Sequence, residues 1–120
     1  MKEVILHVRD VDAFFADARE MARRLDRGQI KSAPAKFAFE SMEGLLKVLT
    51  ANRWALLRAL RRSGPSSIRS LAKHLVRDYR GVHADVAILV EAGLIARDDE
   101  GLIYVPWSRI TAEMALDAAA

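Results

Sequence analysis

The feature that most constrains this chain is a series of helix start and stop signals between residues 50 and 106. Thr50, Ser67 and Asp78 each stand just ahead of an amphipathic stretch. There a short oxygen-bearing side chain accepts from the first free N–H groups of a helix. The first stretch carries Trp54, Leu57 and Leu60, with Leu56 flanking, and stops at Ser63-Gly64-Pro65-Ser66. The second carries Ile68, Leu71, Ala72 and Leu75. After a tight turn, the third places Val82, Val86, Leu89 and Val90 on one face and closes at Gly93. Leu94-Ile95-Ala96-Arg97 and Leu102-Ile103-Tyr104-Val105 then flank the turn Asp98-Asp99-Glu100-Gly101, a hairpin ending at Pro106. Helix, helix, turn, helix, hairpin is the order of a winged helix-turn-helix. The expected fold class is mainly α (α+β): a winged helix-turn-helix with a β-hairpin wing and an N-terminal strand-helix extension.

The extension is legible from periodicity. Val4, Leu6 and Val8 alternate with Glu3, His7 and Arg9, interrupted by Ile5, which predicts a short strand over 3–9. Val11, Phe14, Phe15, Ala18, Met21, Ala22 and Leu25 share one face of a predicted helix over 11–27. Asp10 or Asp12 is its candidate cap and Gly28 its candidate terminator. Residues 28–36 read as a linker, so the expected division is 1–36 for the extension and 37–120 for the winged domain. Phe37 to Glu40 is a candidate short strand, and Ser41 a candidate cap for a brief helix holding Met42, Leu45, Leu46 and Leu49. Beyond Trp107 the pattern is ambiguous. Ile110, Met114 and Leu116 suit a docked helix, and the Ala-rich end should fray. Helix 11–27 either covers its own winged domain or pairs with a second chain. A homodimer is expected, with Phe14, Phe15 and Met21 as candidate partner-binding residues.

Charge sharpens the functional expectation. Residues 50–83 carry Arg53, Arg58, Arg61, Arg62, Arg69, Lys73, Arg77 and Arg80 against Asp78 alone, while the segment after them is net acidic and the whole chain carries only +3. One contiguous basic segment attracts a polyanion, and double-stranded DNA is the expected partner. Once the third helix buries its valines, Tyr79, Arg80, His83, Ala84 and Ala87 are left outward. That places reach at the leading end and small residues behind it, as entry into a major groove about 12 Å wide requires. Arg80 can donate two hydrogen bonds to guanine, His83 can reach a base or a phosphate, and Tyr79 a phosphate or sugar. Ser67, Arg69, Ser70 and Lys73 cluster at the start of the second helix, where the backbone N–H groups favour a phosphate. Arg77 completes the candidate DNA-binding set. Asp85 lies beside the buried stripe and is expected to pair with an arginine such as Arg77. The acidic wing tip, Asp98-Asp99-Glu100, is expected to stay away from phosphates or to meet a basic partner.

These residues also carry a family resemblance. Ser67-Ile68-Arg69-Ser70-Leu71-Ala72-Lys73, Arg77-Asp78-Tyr79-Arg80, Val82-His83, Asp85-Val86 and Ala92-Gly93-Leu94-Ile95 resemble the MarR-like winged-helix DNA-binding proteins of prokaryotic toxin–antitoxin operons. The resemblance covers roughly residues 37–110. It implies a dimeric autorepressor or antitoxin that binds operator DNA, with a toxin protein as a further partner. The alternative is a protein-binding module that uses the winged helix as a scaffold.

Other chemistry is not signalled. The chain has no cysteine, and His7, His74 and His83 lie in separate segments, so neither a thiolate site nor a histidine metal motif is expected. No phosphate-binding glycine loop or nucleophile triad is present, and the chain is expected to be neither an enzyme nor a cofactor carrier. No apolar run approaches the roughly 18 residues of a membrane span. The opening residues lead into a strand-like stretch and not an apolar signal core, so a cytoplasmic location is expected.

Overall fold

A computed structural model describes residues 2–9, 11–28 and 34–116. The fold is mainly helical with small sheets, an α+β class. It divides into two compact units, residues 1–46 with 107–120, and residues 47–106.

The first unit begins with β1 (Lys2–Val8) and α1 (Val11–Asp26), followed by β2 (Ala35–Phe39) and α2 (Met42–Val48), whose last residues enter the second unit. It is completed by β5 (Trp107–Ala112). The strand order is β2-β1-β5, and β1 runs parallel to both neighbours. Alternation along β1 sets the two faces. Val4 and Leu6 are wholly buried on one. Phe37 and Trp107 share that face through their register and meet edge to face at 5.7 Å. Ile5 and His7 share the other face with Lys36, Ala38 and Thr111. On α1, Phe15 and Leu25 are exposed and Met21 is half-buried. The Asp10 cap, residues 29–33 of the expected linker and the terminal alanines lie outside the described residues, as does the side chain of Phe14.

Two expectations change here. The boundary expected between 36 and 37 falls elsewhere, because residues 35–39 extend the sheet of β1 and belong with it. The segment after Trp107 forms a strand over 107–112 where a docked helix was one reading. Its β-branched Ile110 and Thr111 suit a strand once β1 offers a ladder.

The second unit contains α3 (Ala51–Ser63), α4 (Ile68–Leu75), α5 (Tyr79–Glu91), β3 (Ala96–Arg97) and β4 (Ile103–Tyr104). Thr50, Ser67 and Asp78 are the caps, accepting from the N–H groups of Arg53, Ser70 and Gly81 respectively. Leu56, Leu57 and Leu60 of α3, Leu71 and Ala72 of α4, and Val82, Val86 and Leu89 of α5 form the core. Trp54 is exposed at 37%, so the inward face of α3 is turned toward Leu56 relative to the sequence expectation. Each fully buried aliphatic side chain contributes about 1.5–3 kcal/mol. The wing is shorter than its sequence suggested, two residues per strand. Ser66 widens it by exchanging two backbone hydrogen bonds with Ile103, at 3.0 and 2.8 Å.

Candidate nucleic-acid interface

The leading ends of α4 and α5 hold one group of the second unit's exposed cations and aromatics, Arg69, Tyr79, Arg80 and His83, while Arg58, Arg61 and Arg62 are exposed on α3. The α4–α5 turn is a Schellman-type cap. The Val76 N–H reaches the Lys73 carbonyl and the Arg77 N–H reaches the Ala72 carbonyl. Val76 occupies the left-handed position, φ 55° and ψ 48°, where glycine is the usual residue. The Asp78 carboxylate then restarts the chain as α5 by accepting from Gly81 at 2.9 Å.

Tyr79, Arg80, His83, Ala84 and Ala87 are exposed along α5, while Val82, Val86 and Leu89 have no exposed surface. The Arg69 guanidinium lies over the Tyr79 ring, 5.0 Å from its centroid, and the Tyr79 and His83 rings are 5.8 Å apart. The stack ties α4 to α5 and holds Arg69 above the first turn of α5. Ser67, Ser70 and Lys73 are exposed on α4. The Ser67 hydroxyl oxygen accepts from the Ser70 N–H at 3.0 Å, leaving its own proton free to donate.

Arg77 departs from the expected contact set. Its Nη2 donates to Asp85 Oδ2 at 2.8 Å, its side chain is 27% exposed, and its Nη1 is buried without a partner. Asp85 also accepts from Arg53 Nε at 3.0 Å, and the Arg53 Nη1 donates to the carbonyls of Lys47 and Val48. Arg77 is thereby a positioning residue that locks the turn, together with Arg53, to the middle of α5. The Arg77–Asp85 pairing was readable from sequence. The Arg53 contribution, across 32 positions, was not.

The wing also reads differently in three dimensions. Asp98 Oδ1 accepts from the N–H groups of Glu100 and Leu102, both at 2.9 Å, so it builds the turn. Only Asp99 and Glu100 stand out as exposed acids, and the neighbouring exposed Arg97, which the sequence reading passed over, is the cation of the wing.

A second feature lies within the first unit. His7 retains 9% of its surface, and its Nε2 is buried without a hydrogen-bond partner. It lines a cavity of about 210 Å³ with Asp17, Ala18, Met21, Pro34 and Lys36. Burial lowers the His7 pKa below its ordinary value, and the Lys36 charge lowers it further. Asp17 is held by Arg9 at 2.7 Å. Among the described residues, no group of three or more His, Cys, Asp or Glu side chains is placed to hold a metal, and no helix is long and apolar enough to cross a membrane.

Fold and site geometry together define the class, an α+β protein whose second unit is a small winged helix-turn-helix. A family model matches residues 48–112, more than half of the sequence, and the chain belongs to the HVO_A0114 family. The match runs from the end of α2 through β5. No curated protein and no solved structure matches the chain.

Proposed function

We propose that the chain is a cytoplasmic, non-enzymatic, DNA-binding transcriptional regulator that acts as a homodimer, with α5 entering the major groove. The observation that carries this reading is the outward face of α5. Tyr79, Arg80 and His83 lead, Ala84 and Ala87 follow, and Arg69 and Lys73 of α4 flank them. The nearby acids are engaged: Asp85 with two arginines, Asp78 with a helix N-terminus. That leaves an electropositive surface suited to phosphates, with Arg80 set to read a base edge. The resemblance to MarR-like regulators extends the reading to an autorepressor or antitoxin acting on its own operator.

Fluorescence anisotropy with duplexes from the chain's own upstream region tests it. Log-affinity should fall steeply with log-salt. Arg80→Ala should cost about 1–3 kcal/mol on the preferred duplex and relax preference at one base position. Lys73→Ala should weaken all duplexes alike. Equal affinity of wild type and both variants at every salt concentration would remove α5 from the interface. The exposed Asp99 and Glu100 favour one second reading, in which the wing grips a basic protein such as a toxin. Duplex-independent capture of a basic partner would bring that reading forward.

A further inference from the structure

Among the described residues, strand β2 is an edge, paired with β1 on one side only. The Arg9 N–H donates to the Phe39 carbonyl at 3.0 Å, so Phe39 turns its backbone groups toward β1. Along a strand paired in parallel, successive residues turn their N–H and C=O groups to alternate sides. Ala35, Phe37 and Phe39 therefore face β1, Lys36 and Ala38 direct their backbone groups to the open edge, and Glu40 follows the last residue of the strand. Among the described residues, no backbone hydrogen bond reaches these outward groups. The side chains of Lys36, Ala38 and Glu40 are exposed, and those of Phe37 and Phe39 are half-buried.

The sequence at this edge is self-complementary. With a second copy laid antiparallel so that Ala38 opposes the partner's Ala38, Lys36 opposes the partner's Glu40 and Glu40 opposes the partner's Lys36. Phe37 opposes the partner's Phe39 on the other face. The outward N–H and C=O of Ala38 meet their counterparts as a hydrogen-bonded pair, as the alternation requires. A register centred on Phe37 instead sets Lys36 against an alanine and leaves Glu40 without a matching charge. Charge complementarity thus selects both the occupant, an identical strand, and its register.

We propose that β2 pairs antiparallel with β2 of a second copy, joining two three-stranded sheets across a two-fold axis. The pairing supplies the dimer contact of the regulator reading and does not depend on α5. It also removes an unpaired edge that would otherwise invite indiscriminate association.

Sedimentation equilibrium on the full chain tests the pairing. Lys36→Glu and Glu40→Lys each turn two attractive cross-strand pairs into two repulsive ones, and each should weaken dimerisation by about tenfold or more. The double exchange, Lys36→Glu with Glu40→Lys, should restore it. Ala38→Pro removes the N–H at the axis while leaving the bonds to β1, so it should give a monomer with an unchanged circular dichroism spectrum. A monomeric wild type, or a dimer indifferent to all four variants, overturns the proposal. A dimer split only by Phe15→Ser with Met21→Ser overturns the strand contact and leaves the regulator reading standing. Loss of duplex binding in Arg80→Ala with the dimer intact leaves the strand contact untouched.

Discussion

Asp85 shows how much of the proposed interface depends on a residue that need not touch DNA. Its side chain is 14% exposed, with an arginine from α3 and another from the α4–α5 turn on its two oxygens. Removing its charge leaves Arg53 and Arg77 facing each other, half-buried and uncompensated. Asp85→Asn should cost about 2–3 kcal/mol of stability, below the loss for a fully buried pair because some solvent remains. Its duplex affinity should fall as well, since the turn that aims Tyr79 and Arg80 loosens. Urea unfolding and anisotropy on one preparation check both, and unchanged stability would refute the clamp. Val76 offers the opposite case. It is a β-branched residue in the left-handed region with 89% of its surface exposed, so it has strain and little packing to lose. Val76→Gly should raise stability by about 0.5–1 kcal/mol, and a lower urea midpoint would show that the strain is absent.

At the scale of elements, the wing and α5 contribute unequally. The short β3–β4 hairpin is stabilised by Asp98 and by the bonds of Ser66 to Ile103, and its tip carries Asp99 and Glu100. Acids at that tip repel phosphates. Asp99→Ser with Glu100→Ser should therefore leave duplex affinity equal or raise it. A marked loss would mean that the tip makes favourable contacts. Asp98 must be kept out of that experiment. Asp98→Ala removes the acceptor of two N–H groups and should cost about 1 kcal/mol of stability. The helix caps were legible because Thr50, Ser67 and Asp78 act on neighbours three residues away. Strand β5 was not legible as a strand, because its ladder partner lies some hundred residues earlier in the chain.

For the molecule as a whole, the two units carry different sensitivities. The depressed His7 pKa means that the unfolded chain binds the proton more readily than the folded one. The stability this contributes is present above the unfolded value of 6.5 and is lost as pH falls through the lower folded value. That loss belongs to the first unit. The two tryptophans report separately, Trp107 in the first unit and Trp54 in the second. With Trp54→Phe in place, the urea midpoint read from Trp107 should fall between pH 7.5 and pH 5.5, and His7→Phe should flatten the dependence. A Trp107 midpoint independent of pH, or one that keeps its slope without His7, would exclude the histidine as its source.

By itself the sequence determined what is local. The caps, the valine and leucine stripes, the position of the wing turn and the outward set on α5 all follow from spacings of a few residues, within reach of side-chain and hydrogen-bond geometry. Only the tertiary structure decided what depends on residues far apart. It joined β5 to β1 in a parallel sheet and moved the unit boundary to Lys47. It drew Arg77 inward onto the Asp85 that Arg53 also holds, and set His7 in a cavity lined by Asp17, Ala18 and Met21 of α1. A parallel ladder and a charge clamp are both set by which distant groups meet, and no local pattern specifies that meeting.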